Sequence, residues 1–196
     1  PVAYIDLRNV SVINNDSIKI HWRTIKQDFP ESLFLRYDVC RSPVPTDVCD
    51  FVVASIPNIN DTVYYDDAVD VSSAFYNYTI KLYQQISLLD TLSDSIQSIL
   101  LLPDPGQTDT SKVFISWSPY WGWNAPPYHV MEKTGLDGAW REIGTATNTS
   151  FTVTKPLLAN DYWLKVETRD VADGLISESN WVKYKVSIWE PPNIFT

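Results

Sequence analysis

Apolar and polar residues alternate in short runs along the whole chain. At 18–22 the run reads Ile-x-Ile-x-Trp, and at 113–117 it reads Val-x-Ile-x-Trp. A period of two places every second side chain on the same face, which is typical of a half-buried β-strand. Such runs recur about every 8 to 12 residues between turn-forming clusters of Asn, Asp, Gly and Pro. The pattern therefore predicts an all-β protein built from β-sandwiches.

One segment also fits a helix. The apolar residues of 85–100 fall near helical spacing: Ile86, Leu89, Leu92, Ile96 and Ile99. An internal repeat, however, matches this segment to a Gly-containing turn and a strand in the second half of the chain. We therefore expect a turn and a strand here, with the helix as the alternative.

The second half of the chain repeats the first. At a constant offset of 84, segment 78–95 superposes on 162–179 and aligns Tyr78 with Tyr162. Upstream, 18–22 corresponds to 113–117, and 36–39 corresponds to 127–130. The repeat predicts two related units of roughly 95 residues.

The two units meet at a short Pro-containing joint. Segment 102–106 reads Leu-Pro-Asp-Pro-Gly, and its prolines remove backbone donors and stiffen the chain. We predict one sandwich over 1–101 and a second over 102–190.

Composition excludes several function classes. The chain has 196 residues and a formal net charge of −9, with 44% hydrophobic and 20% charged residues. This composition is typical of a folded protein and not of a disordered one. Because the chain has no run of Lys or Arg, nucleic acid is not expected as a partner. The longest apolar stretch, around 99–102, is far shorter than the ~18 to 20 residues of a membrane span, so we expect no span in this fragment.

The aromatic residues of both units resemble those of the fibronectin type III module. Each unit has a Trp in an early strand, a Tyr 11 to 15 residues later, and a Tyr-x-hydrophobic-x-hydrophobic strand near its end. The resemblance implies two tandem fibronectin type III-like, or immunoglobulin-like, β-sandwiches whose Trp fills the space between the sheets. The residues are Trp22, Tyr37 and Tyr78 in the first unit, and Trp117, Tyr128 and Tyr162 in the second.

A second resemblance concerns export. The last six residues, Pro-Pro-Asn-Ile-Phe-Thr at 191–196, resemble the entry to the gliding-motility-associated C-terminal domain of Bacteroidetes surface proteins. Segment 117–123 is similar to the Trp-x-Pro-Tyr-x-x-Trp pattern of the modules that precede such tails. The resemblance implies that 191–196 are the start of a linker to a further, C-terminal domain. It also implies an extracellular or cell-surface location reached through type IX secretion. It also implies a non-catalytic spacer and adhesion region whose partners are other domains of the same polypeptide and surface proteins or glycans.

Cys40 and Cys49 are the only cysteines, and two prolines lie in the eight residues between them. In an exported protein this segment is a hairpin that a disulfide can close. The alternative is two free thiols in strands. A zinc site is not expected, because neither His21 nor His129 lies at ligand spacing from the cysteines.

The sequence contains no catalytic motif. It lacks Gly-x-Ser-x-Gly, Gly-x-Gly-x-x-Gly and a P-loop, so we predict no catalytic residues, no cofactor and no enzyme activity. One acidic cluster offers carboxylate ligands for Ca²⁺, although its spacing does not fit an EF-hand loop. A solvated turn is the favoured interpretation of this cluster, which comprises Asp61, Asp66, Asp67 and Asp70.

Tryptophan is concentrated in the second unit, which holds seven of the eight. Tyr120, Trp121 and Trp123 lie in a Gly/Pro-rich loop and are the candidate aromatic contact surface, because exposed rings stack on sugars or anchor protein contacts. One alternative is a glycan-binding module or an accessory region of a polysaccharide-degrading enzyme. The favoured alternative is that the loop packs over its own sandwich, or seals the interface with the first unit or with a neighbouring domain.

Five asparagines begin Asn-x-Ser/Thr sequons, which mark exposed surface in a eukaryotic secreted protein. A eukaryotic receptor ectodomain is therefore a further alternative. The sequons begin at Asn9, Asn15, Asn60, Asn77 and Asn148.

Overall fold

The computed structural model describes residues 5–24, 31–45, 48–49, 51–85, 91–104, 112–123, 127–154 and 161–185. Within these residues the chain forms sixteen β-strands and one 3-10 turn at Glu31–Leu33. None of the described segments forms a helix of the length and apolarity needed to cross a membrane.

The first sandwich contains eight strands in two facing sheets. One sheet has the order β1-β2-β5, and the other has the order β4-β3-β6, with both β7 and β8 paired to β6. The strands are β1 (Ile5–Ile13), β2 (Ser17–Thr24), β3 (Phe34–Ser42), β4 (Phe51–Ile56), β5 (Val63–Asp66), β6 (Asn77–Gln84), β7 (Thr91–Leu92) and β8 (Ile96–Gln97).

The second sandwich repeats this order strand for strand. One sheet is β9-β10-β13, and the other is β12-β11-β14, with both β15 and β16 paired to β14. The strands are β9 (Leu101–Pro103), β10 (Lys112–Trp117), β11 (Tyr128–Thr134), β12 (Arg141–Ala146), β13 (Ser150–Thr154), β14 (Asp161–Asp170), β15 (Leu175–Glu178) and β16 (Val182–Lys185). The predicted fold class is confirmed: the chain is all-β, with two fibronectin type III-like sandwiches in tandem.

The predicted helix alternative for 85–100 is wrong in the described part of that segment. Residues 91–100 contain β7 and β8, which both hydrogen-bond to β6. Period-two pairing therefore prevails over the helical spacing of the apolar residues. Residues 86–90 lie outside the described residues.

The strand register corrects the predicted repeat offset. Leu82 pairs with Thr91 in the first sandwich, and Thr168 pairs with Ser177 at the same place in the second. Tyr37 pairs with Leu82 in the first sandwich, and its counterpart Tyr128 pairs with Thr168 in the second. Leu82 is therefore equivalent to Thr168, and the offset in the structure is two residues larger than the predicted offset of 84. A shift of two residues keeps every side chain on the same face of the sheet, so the alternation of apolar residues does not distinguish the two alignments.

The six aromatic residues predicted to be core markers are buried. Trp22 and Tyr37 meet edge to face with their ring centroids 5.6 Å apart, and Trp117 and Tyr128 do so at 5.3 Å. Tyr78 and Tyr162 are buried as well. Edge-to-face packing suits the quadrupoles of aromatic rings, so one Trp–Tyr pair organises each core.

All strand pairings of the described residues fall within 5–97 or within 101–185. A parallel bridge pairs Ile99, which lies between these two ranges, with Ser179 of the second. The domain bounds 1–101 and 102–190 stay a prediction, and the linker predicted at 191–196 lies outside the described residues.

Candidate functional site at the junction of the two sandwiches

Strand β1 of the first sandwich lies against β15 of the second. A β-bulge between Leu7 and Asn9 changes the alternation of β1, so that Val10 and Val12 join the core while Asn9 and Ser11 are covered from the other side. Both faces of this strand are therefore buried.

Polar groups on β1 are paired with groups on β15. The Asn9 side-chain amide donates to the Ile176 carbonyl at 2.8 Å, and the Ser177 hydroxyl donates to the Val10 carbonyl at 2.5 Å. The Glu178 amide donates to the Ser11 hydroxyl at 2.9 Å. Because buried polar groups are costly when unpaired, these bonds specify one relative position of the two strands.

The β1–β2 turn adds a contact to the second sandwich. Asn14 and Asn15 have φ values of 52° and 65°, which asparagine tolerates better than most residues. This conformation places the side-chain oxygen of Asn15 2.7 Å from the Trp181 amide, from which it accepts a hydrogen bond.

Charged groups lie at the other end of β1. The Arg8 guanidinium forms ion pairs with Asp170 and Asp173 of the second sandwich, and with Asp6 of its own strand at 3.0 Å. These ion pairs are only partly exposed and extend the junction over the full length of β1.

The connection between the sandwiches is bonded on both sides. The Gln97 side chain donates to the Pro119 carbonyl, and the Leu100 amide donates to the Ser118 hydroxyl, each at 2.9 Å. The Asn180 side chain accepts from the Leu101 amide at 2.6 Å and donates to the Leu101 carbonyl at 3.0 Å. In each of these bonds, the connection is held by a residue of the second sandwich, so the connection is part of the junction.

The structure separates the three residues of the candidate aromatic contact surface. Tyr120 is only 5% exposed, and its amide donates to the Tyr128 hydroxyl at 2.9 Å. Trp123 packs on Tyr120 with a ring-centroid distance of 4.7 Å, whereas Trp121 is 51% exposed. Tyr120 is therefore packed in the loop, and Trp121 is the residue of the three whose ring is half-exposed.

Gly122 explains how Tyr120 turns inward. A Cβ at position 122 would lie 2.3 Å from the Tyr120 ring, so only glycine leaves room for the ring against the loop backbone. Burial raises the pKa of Tyr120, while the nearby Val10 backbone and Ser177 side chain lower it. Among the described residues, the Tyr120 hydroxyl has no partner at hydrogen-bond geometry.

Three of the four acidic residues considered for Ca²⁺ accept hydrogen bonds from neighbouring groups of the protein. Asp66 is buried and accepts hydrogen bonds from Arg41 and Tyr78, each at 2.8 Å. Asp61 accepts from the Asn58 amide group, and Asp70 accepts from the hydroxyl and amide of Ser72. Asp67 is exposed. In the part of the chain that the structure describes, no three Asp, Glu, His or Cys side chains are grouped to hold a metal ion.

The Asp66 network is specific to the first sandwich. Asp66 faces Ile18 across β2–β5, and Val153 faces Val113 at the same place in the second sandwich. Tyr78 pairs with Ile96 in the first sandwich, and Leu164 pairs with Val182 at the equivalent position of the second. The second core is therefore apolar where the first holds a buried ion pair.

Cys40 and Cys49 form a disulfide with a Cα–Cα distance of 5.2 Å, which closes the loop between β3 and β4.

His21 is half-buried, and desolvation lowers its pKa, with smaller effects of Lys19 and Arg8 in the same direction. His129 contacts Glu142 at 3.0 Å on the outer face of β11.

Three of the five sequons do not mark free surface. Asn9 and Asn77 are buried, and Asn15 accepts the hydrogen bond from Trp181. Asn60 and Asn148 are exposed in turns. The sequence interpretation thus missed that two of these asparagines belong to the junction, because nothing in a polar strand or turn residue reveals its tertiary partner.

Sequence comparisons with known proteins identify no family for this chain. No protein-family model matches the chain, and no curated protein matches it. Among solved structures, the central fibronectin-III array of RIM-binding protein is similar at 14% sequence identity. The match covers 97% of this chain and 71% of that chain, with a TM-score of 0.37. The fold assignment stands on the strand order and cores of the two sandwiches.

Proposed function

We propose that this chain is a non-catalytic spacer and interaction region that holds two β-sandwiches in one fixed geometry. The observation that carries the proposal is the junction, where β1 is buried between its own core and β15. Neighbouring domains move relative to each other by default unless their interface is extensive. Here hydrogen bonds, ion pairs and the bonded connection oppose such motion.

The bonds at the junction have directional geometry, which apolar contacts lack. A hydrogen bond weakens steeply when its angle or distance changes. Rotation of one sandwich against the other would leave the buried Asn9 and Ser177 groups unpaired, at a cost of about 1 to 3 kcal/mol for each group. A spacer of this kind transmits orientation as well as distance to the domains it connects.

The Asn15–Trp181 contact offers a test with a matched control. Asn15→Gly keeps a residue that adopts positive φ but removes the oxygen that accepts the Trp181 amide. We expect faster hydrogen exchange of the Trp181 amide in Asn15→Gly than in the unchanged protein. Asn14→Gly, in the same turn, should leave that exchange rate unchanged. Equal rates in all three proteins would refute the contact.

We propose further that the region belongs to a larger exported bacterial protein of the gliding-motility-associated, type IX secretion kind, with an extracellular or cell-surface location. The sequence resemblance at 117–123 and 191–196 supports this, and so does the Cys40–Cys49 disulfide, since disulfides persist in oxidising compartments. Surface labelling of intact cells should detect the protein, and loss of the type IX export machinery should abolish the signal. A protein found only inside the cell would contradict this proposal.

A second candidate function is glycan contact through Trp121, because this ring is half-exposed while its neighbours are packed. A polysaccharide panel titrated against tryptophan fluorescence tests it. Saturable binding that Trp121→Ala abolishes would support the candidate. No response across the panel would leave Trp121 as an ordinary surface residue.

A further inference from the structure

Strand β4 is an uncharged sheet edge. It ends the sheet order β4-β3-β6, and among the described residues its only strand partner is β3. Its sequence, Phe-Val-Val-Ala-Ser-Ile, contains no charged residue, proline or glycine. Natural sheet edges are usually blunted by such residues, because unpaired backbone groups accept a further strand.

Exposed apolar side chains extend this edge. Phe51 and Val52 are 58% and 43% exposed, and Val44 and Val48 of the preceding loop are 58% and 60% exposed. The Cys40–Cys49 disulfide holds that loop against β3. We call these four residues the edge patch.

The second sandwich shows that the fold does not require an apolar edge. Arg41 faces Phe51 in the first sandwich, and Glu132 faces Arg141 at the same place in the second. Glu142 likewise stands at the place of Val52, and β4 and β12 share one pattern of burial along the strand. The second sandwich therefore carries charges where the first carries apolar side chains.

The charges on β12 are engaged within their own sheet. Arg141 contacts Glu132 at 3.4 Å, and Glu142 contacts His129 at 3.0 Å and Arg169 at 3.2 Å. A strand that approached β12 would have to desolvate these ions. The edge of β12 is thus protected and the edge of β4 is not.

We propose that β4 and the edge patch form a self-association site, where β4 of one copy pairs antiparallel with β4 of a second copy about a two-fold axis. The net charge of −9 makes two copies repel over most of their surface, so contact is least opposed along β4, whose six residues carry no charge. A two-fold contact brings β4 of both copies together, and a strand without charged residues has no like-charge clash with its own copy.

The size of this contact predicts a weak association. One pair of six-residue strands with four apolar side chains on each copy is smaller than a standard interface. Association in the micromolar to millimolar range is therefore expected. Many copies at close spacing would strengthen such contacts through multivalency. The inference is independent of the fixed geometry proposed for the junction.

Sedimentation equilibrium of the whole chain from ~10 μM to ~1 mM tests the inference. We expect the weight-average mass to rise from the monomer toward the dimer. The variant Phe51→Glu/Val52→Arg charges the edge without changing the net charge. The new Glu at position 51 faces Arg41, whereas Arg141 of β12 faces Glu132. The two introduced charges therefore have the opposite signs to Arg141 and Glu142 of β12. We expect its dissociation constant to be at least tenfold higher.

The matched control is Leu136→Glu/Val171→Arg, which places the same pair of charges on exposed apolar residues of the second sandwich. It should associate like the unchanged protein. An unchanged protein that stays monomeric throughout would overturn the inference, and so would a β4 variant that associates equally well or a control that fails to associate.

Hydrogen exchange of the unchanged protein gives a readout that needs no variant. At high concentration the β4 amides should gain protection relative to low concentration, while the β12 amides should not. Equal protection at both concentrations would contradict pairing at β4.

Discussion

Substitution of Tyr120 tests whether the aromatic loop of the second sandwich packs against the protein or serves as an exposed contact surface. Its side chain is buried against Trp123 and close to Val10 of the first sandwich, whereas Trp121 is half-exposed. We predict that Tyr120→Ala strongly destabilises the protein and that Trp121→Ala does not. The difference follows from burial alone, since the two residues are neighbours in one loop.

The magnitude follows from the buried ring. An aromatic side chain buries about 150 to 250 Å², which at about 25 cal/mol per Å² gives an upper estimate of roughly 4 to 6 kcal/mol. Measured truncations of buried aromatic residues to alanine cost about 3 to 5 kcal/mol. We expect Tyr120→Ala to lower the free energy of unfolding by about that amount, and Trp121→Ala to lower it by about 1 kcal/mol or less.

Urea unfolding followed by tryptophan fluorescence measures both variants. Tyr120→Phe is the control, because the Tyr120 hydroxyl lacks a partner of good geometry among the described residues, so its removal should not lower stability. Tyr120→Ala as stable as the unchanged protein, or Trp121→Ala as damaging as Tyr120→Ala, would refute this account of the loop.

Three further predictions concern the first sandwich. Asp66→Val should lower the free energy of unfolding by about 3 to 5 kcal/mol in urea, because it leaves Arg41 and the Tyr78 hydroxyl without their partner; a loss below about 1 kcal/mol would contradict the role of the ion pair. Replacing both Cys40 and Cys49 with serine should cost about 2.6 kcal/mol by loop-closure entropy, checked by the shift of the urea midpoint. Burial, with a smaller effect of Asp66, raises the pKa of Tyr78, so its contribution to stability is complete below pH ~10 and falls by about 1.4 kcal/mol per pH unit above it. Tyr78→Phe should flatten that alkaline decline, and an unchanged slope would refute the assignment.

The fold was predictable because core positions carry a strong local signal. Alternation ending in Trp22 and Trp117 identified the strands that hold the two core tryptophans. The exact register of the repeat was not predictable, since a shift of two residues keeps Tyr78 and Tyr162 on the inward face. Only the pairing of β6 with its neighbours fixes that register.

The junction was not predictable from the sequence. Asn9, Ser11 and Ser177 are small polar residues of a kind that usually lies on the surface, and their hydrogen bonds join positions 167 residues apart in the chain. No local pattern encodes such a partner. The bulge after Leu7, which turns Asn9 outward from the first core, is a property of strand pairing that the alternation pattern alone does not reveal.

The aromatic loop was predicted in part. The surplus of tryptophan in the second sandwich indicated that some rings lie outside the core, and Trp121 does. Which ring turns inward depends on the space beside Gly122, where a Cβ would collide with Tyr120. That close approach exists only in the folded loop, so the sequence left the packing and contact hypotheses open.

Residual dipolar couplings of backbone amides test whether the two sandwiches hold one fixed relative orientation. Couplings measured in the whole chain are fitted separately for 5–97 and 101–185. We predict that both sets give the same alignment tensor, because β1 and β15 hold the sandwiches as one body. Two tensors of clearly different magnitude would mean that the sandwiches reorient independently, and would contradict the proposed function.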